Sequence, residues 1–154
     1  MKNTQFGFTL IELLVVIAIV GIITAVAYPS YKSTMAGSAR SAVQADLMAF
    51  AGAMERHNAS RYTYKGAGVG GADTGTPLVF SGHSPASEPV ANKKYILTIS
   101  DVSTNGQTFI LKASPVSASI VEGNGDMYLF SDGRKAWDKN DNGAIDSDEY
   151  CWNC

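Results

Sequence analysis

An α+β fold is predicted: one long N-terminal α-helix, its apolar half protruding, packed through its second half against an antiparallel β-sheet of three to four strands. Three observations predict it. Nineteen consecutive uncharged residues run from Leu13 to Tyr31. Apolar residues then recur at helical spacing from Ala36 to Met54, and the second half of the chain carries β-branched and aromatic runs separated by turn dipeptides. At 154 residues the chain is long enough for one compact domain and too short for two ordinary ones. Its 45% hydrophobic and 17% charged content excludes a disordered polar chain. Twelve Lys plus Arg against fourteen Asp plus Glu give a net charge of −2. The bulk footprint of a nucleic-acid binder is therefore missing and no specific nucleic-acid binding is evident, although a local patch is compatible with that sum.

The first element is apolar around its whole circumference from Phe8 to Ala27. As a helix, residues 8–28 cover roughly 30 Å, the hydrocarbon thickness of a bilayer. A core helix of this kind would need the rest of the chain to wrap it on all sides. A secretory signal peptide is a second reading, with Ala25-Val26-Ala27 as a small-residue cleavage site before Tyr28. Against it, Lys2 is the only charge ahead of the apolar run apart from Glu12, a carboxylate placed where that run begins. A lone carboxylate at such depth costs several kcal/mol unless it finds a positive partner.

The segment from Lys2 to Tyr31, above all Gly7-Phe8-Thr9-Leu10-Ile11-Glu12-Leu13-Leu14, resembles the class III signal of type IV pilins and type II secretion pseudopilins. The resemblance implies the type IV pilin fold. It further implies that a prepilin peptidase removes residues 1–7 after Gly7, and that the new amino terminus at Phe8 is N-methylated. Glu12 would then neutralise the positive N-terminus of a neighbouring subunit as the filament assembles, an arrangement in which a paired carboxylate acts as a registration device. Residues 8–31 would serve as transmembrane segment before assembly and as filament core afterwards. Residues 32–154 would form the head, first periplasmic and then extracellular. Gly21 and Pro29 also match the family, where they mark weak points or bends. Pro29 removes one helical hydrogen bond, so a kink near residues 25–29 is expected, the alternative being that it ends a membrane helix.

The apolar positions Ala36, Ala39, Val43, Leu47, Phe50 and Met54 extend the helix in amphipathic form to about His57. Residues 8–57 would span roughly 75 Å. Met54-Glu-Arg-His and the tyrosines to Tyr64 resemble the end of that helix in a proteobacterial subgroup of the pilins. A Gly-rich loop over 65–92 follows, with five glycines between Gly66 and Gly75 and three prolines at 77, 85 and 89, and is read as free of helix and strand. The sheet is placed at 94–137. Lys94–Ser100 and Gln107–Ala113 flank the turn signal Asn105-Gly106, and Met127–Ser131 turns through Asp132-Gly133 into Arg134–Trp137.

Residues 138–149, Asp-Lys-Asn-Asp-Asn-Gly-Ala-Ile-Asp-Ser-Asp-Glu, fit the twelve-residue EF-hand loop. Calcium takes six to eight oxygens. Asp138, Asn140 and Asn142 would supply side-chain oxygens, Ala144 its carbonyl, Asp146 a direct or water-bridged ligand, and Glu149 a bidentate closure. Gly143 permits the sharp bend. With no helix pair to open, the ion would be structural. Cys151 and Cys154 leave three readings: a short structural disulfide, the default in an exported chain; reduced or intermolecular thiols; and a redox pair, which would need a helix start in a βαβ setting. His57 and His83 share no metal-ligand spacing. Gly82-His-Ser-Pro-Ala86 fails as a nucleophile elbow because Pro85 has no N–H to give an oxyanion. The sequence thus reads as a filament subunit with no turnover of substrate, its partners being other pilin subunits, prepilin peptidase and the inner-membrane assembly machinery. Adhesion, twitching motility and DNA uptake stay open as roles. A type II secretion pseudopilin is the nearest rival reading, and a secreted calcium-binding domain cut before Tyr28 is a further one.

Overall fold

The computed structural model describes residues 8–153. The chain divides into two compact units, one ending at Met35 and one starting at Ala36. Helix α1, Leu10–Arg61, contributes to both.

In the first unit every residue from Phe8 to Met35 is exposed. The helix is long and apolar enough to cross a membrane, with a mean hydropathy of 2.9 in its most apolar stretch. Pro29 lies inside α1, so the reading in which it ends the helix is excluded. Hydroxyls back-bond to carbonyls on either side of it: Thr24 Oγ1 donates to Val20 O at 2.6 Å, and Thr34 Oγ1 to Ser30 O at 3.0 Å.

The second unit is built on the amphipathic part of α1. Its stripe of Ala36, Ala39, Val43, Leu47, Phe50, Ala53 and Met54 is buried, as the 3.6-residue period requires. Leu47, Phe50 and Met54 are fully enclosed, a burial worth about 1.5–3 kcal/mol for each. The helix runs to Arg61, four residues past the expected His57. That last turn is mostly exposed, so apolar periodicity had nothing to report there. It stops at Tyr62, which takes the left-handed conformation (φ 59°) while its N–H donates to Asn58 O at 2.6 Å.

The sheet is an antiparallel meander of five strands in sequential order: β1 His83–Ser84, β2 Tyr95–Val102, β3 Phe109–Pro115, β4 Met127–Phe130 and β5 Lys135–Trp137. Three to four were expected. The extra one is β1, two residues long and followed by Pro85, too short for any periodic signal. It adds His83 and Ser84 opposite Ile96 and Tyr95. The Asp46 carboxylate of α1 holds this edge by accepting from Ser84 Oγ at 2.6 Å and Ala86 N at 3.0 Å. Alternation selects the inward face: Tyr95, Leu97 and Ile99 from β2, Phe109, Leu111 and Ala113 from β3, and Met127 and Leu129 from β4 meet the helix stripe in one core. A bulge between Ile99 and Asp101 shifts the β2–β3 register.

The Gly-rich stretch is more ordered than its composition implied. It contains 3-10 turns at Val69–Gly71 and Val90–Asn92 as well as β1. Gly75 exchanges two backbone hydrogen bonds with Ile99, at 2.8 and 2.9 Å, and Phe80 stacks on Phe50 with centroids 5.3 Å apart. Glycine there frees the backbone to pair with β2 while one aromatic anchors the loop to the core.

Candidate functional site

At its N-terminus the first unit carries a capping box. Thr9 precedes the first helical residue, and its N–H and Oγ1 both donate to Glu12 Oε2, at 2.8 and 2.7 Å; Glu12 N–H returns a bond to Thr9 Oγ1 at 3.3 Å. The carboxylate therefore satisfies orphan donors of its own helix in the isolated chain. The sequence reading missed this role for Thr9, although Thr-x-x-Glu ahead of an apolar run is its signature. Phe8 is 86% exposed. Gly7 lies outside the described residues.

The second unit carries the calcium-type loop at its C-terminal end, entered directly from β5. Its backbone follows from two left-handed residues, Asp141 (φ 55°) and Gly143 (φ 82°). Between them these turns bring N–H groups onto two buried carboxylates. Asp138, 1% exposed, accepts from Asn142 N at 3.0 Å and Gly143 N at 2.8 Å. Glu149, 4% exposed, accepts from Lys139 N, Asn140 N and Asp146 N at 2.9, 3.2 and 3.1 Å. Such bonds offset the cost of burying charge. Asp146 Oδ2 receives the amide groups of Asn140 and Asn142, at 3.1 and 3.2 Å. The side chains of these five residues are thus drawn together by the loop, and the positive ends of two amide dipoles face one carboxylate.

Among the described residues no three His, Cys, Asp or Glu side chains gather as a group that could hold a metal ion. The donors drawn together here mix carboxylates with amides. Each carboxylate oxygen has two lone pairs, so the N–H bonds leave acceptor capacity, and turning two amides would present their oxygens to the same space. Ala144 is exposed on the loop, with its N–H bonded to Asn142 Oδ1 at 2.8 Å. Ile145 is half-buried, and Trp137 N–H donates to Glu149 O at 2.9 Å, so the loop closes back on β5. Cys151 is not a free thiol; Cys154 lies outside the described residues.

Residues 29–124 match the family described as type IV minor pilin ComP, DNA uptake sequence receptor, and residues 2–28 match the prokaryotic N-terminal methylation motif. The chain belongs to the type IV pilin family. Fimbrial protein EcpC of Eikenella corrodens is 32% identical over 125 residues, 80% of this chain and 71% of that relative. Type IV major fimbrial protein FimA of Dichelobacter nodosus is 50% identical over 46 residues, 30% of each chain. Type IV major α-pilin of Moraxella bovis is 49% identical over 47 residues, again 30% of each. No solved structure matches. The chain thus carries the two parts of a pilin, an exposed apolar helical unit and a helix-on-sheet head. The ComP match ends at residue 124, so β4, β5, the calcium-type loop and the cysteine tail lie beyond it.

Proposed function

We propose that this pilin polymerises into a type IV pilus through its N-terminal helix, and that the filament serves DNA uptake. One observation carries the first part: every side chain from Phe8 to Met35 is exposed in the isolated chain. That much apolar surface needs a bilayer and then the same helices of other subunits. In this reading prepilin peptidase cuts after Gly7, the amino group of Phe8 is methylated, and the inner-membrane machinery lifts the subunit out of the membrane. Glu12 then exchanges its local bonds to Thr9 for the positive N-terminus of a neighbour, which offsets the cost of carrying a carboxylate into an apolar core. DNA uptake is favoured among the pilus roles because the match over 29–124 is to a family described as a DNA uptake sequence receptor.

We also propose that calcium occupies the loop from Asp138 to Glu149, with Asn140, Asn142, Ala144 and Asp146 completing the ligand set, and that a Cys151–Cys154 disulfide closes the tail. Calcium binding here is structural: it would replace the amide dipoles that now face Asp146.

The test is a cell carrying Glu12→Ala or Glu12→Gln in place of the native subunit. Sheared surface filaments should fall at least tenfold with the subunit retained in the inner membrane. Native amounts of filament would overturn assembly through Glu12. Deletion of the subunit should abolish uptake of labelled DNA, and undiminished uptake would overturn the role.

A further inference from the structure

We propose that the groove between α1 and the β4–β5 hairpin receives the turn from Glu88 to Lys93 of a second copy of this chain; this rests on the polymerisation put forward above and adds to it a contact between heads. The groove has a volume of about 320 Å³ and lies wholly within the second unit. Met48, Ala51 and Glu55 of α1 form one wall, with Leu129, Phe130 and Lys135 opposite. Met48 is 54% exposed, so the head itself leaves this apolar wall open to solvent.

The two walls carry opposite charges. Tyr64 O–H donates to Glu55, with its oxygen 2.9 and 3.0 Å from the two carboxylate oxygens, and so orients that side chain. Lys135 Nζ lies 4.8 Å from the centre of the Trp152 ring, and a cation held on a ring face keeps its N–H donors for another partner. An occupant must therefore bring an apolar side chain flanked by a carboxylate on one side and a cation on the other.

The turn from Glu88 to Lys93 has that composition. Residues 87–92 are all exposed, and Val90 at their centre is 60% exposed. A 3-10 turn over Val90–Asn92 shapes the segment, with Asn92 N–H donating to Pro89 O at 2.9 Å and Lys93 N–H to Val90 O at 3.3 Å. His83 Nε2 pins its base by donating to Glu88 O at 2.9 Å. Among the described residues Glu55, Glu88, Lys93 and Lys135 form no ion pair. Docked in the groove, Glu88 would meet Lys135, Lys93 would meet Glu55, and Val90 would cover the apolar wall between them.

Placement decides between copies. With 3.6 residues per turn, the buried stripe of Val43, Leu47, Phe50 and Met54 separates Asp46 from Met48, Ala51 and Glu55. Asp46 holds Ser84 and Ala86, so the turn that follows lies on one flank of α1 and the groove on the other. A head therefore cannot fill its own groove. The contact is heterologous, a geometry that propagates along a filament instead of closing a dimer. The charges set its register, and assembled subunits present so small a contact at high effective concentration.

The test is made in cells whose only copy of this subunit is the variant. Glu88→Lys and Lys135→Glu should each lower sheared filament at least fivefold with subunit levels unchanged, and the two together should restore at least half of the native amount. The double variant Met48→Cys, Val90→Cys changes two exposed side chains and keeps the test open should Lys135→Glu misfold. Its oxidised filaments should give a ladder of cross-linked multimers on a non-reducing gel, and each single variant should not. Filaments without a ladder would overturn the contact while polymerisation stands. A dimer from either single variant would also overturn it, by showing a symmetric contact, as would a band of another mass from Met48→Cys alone, by showing a different protein in the groove. If the native chain enters no filament, polymerisation and the contact fall together.

Discussion

Tyr95 sits in the middle of the core at 0% exposure, and its hydroxyl finds no hydrogen-bond partner among the described residues. Burial pushes its ionisation up to about 12, with the charge of Arg40 offsetting a small part. The folded state therefore favours the neutral phenol. The associated stability is whole below pH 10, the ordinary tyrosine value, and is lost as pH rises through about 12. Native protein should lose up to roughly 2 kcal/mol across that window from this residue. Tyr95→Phe should remove that share of the alkaline loss; Tyr64 and Tyr128, also raised by burial, keep the remainder. At neutral pH the same variant should be within about 1 kcal/mol of native, because no hydrogen bond is given up. Unfolding midpoints from pH 7 to 12 check both statements, and a large neutral-pH loss would show that the hydroxyl has a partner. Thr9 yields a second prediction. Thr9→Ala should fray the first turn of α1 by about 1 kcal/mol, read as faster amide exchange at residues 10–13 in micelles, while Ser in its place should keep native protection.

At the scale of elements, the C-terminal loop is the part whose sequence and geometry are most closely matched. Gly125 (φ 66°) fixes its approach: a Cβ there would run into the carbonyl of Asp138, whose N–H is bonded to Asp126 O at 2.9 Å. Gly125→Ala should destabilise the head by roughly 2 kcal/mol or more, read as a lower unfolding midpoint; a neutral effect would mean that the strand-to-loop junction is free to move. If calcium binds as proposed, a concentration ten times its dissociation constant adds about 1.4 kcal/mol. The native midpoint should rise accordingly with calcium and fall with a chelator, whereas Glu149→Gln should show no calcium response. Identical native midpoints with and without calcium would mean that the loop's N–H groups and amides satisfy its carboxylates unaided.

Across the whole molecule, legibility followed periodicity. The stripe from Ala36 to Met54 was readable because a helix packed on one side repeats every three or four residues, and it is buried. Strands β2 to β5 were readable from β-branched and aromatic runs and from the turn dipeptides Asn105-Gly106 and Asp132-Gly133. What escaped has no period. Strand β1 is two residues long; the pairing of Gly75 with Ile99 is a single bridge; Phe80 stacks on Phe50, two positions related only through the fold. If the chain works as proposed, residues 8–35 form the assembling part of a pilus subunit. Intact-mass and N-terminal fragment spectra of filaments sheared from native cells test it most directly, with and without reduction. The mature chain should start at N-methylated Phe8 and gain two hydrogens on reduction. A mature chain starting at Tyr28, or the absence of this chain from the filaments, would contradict it.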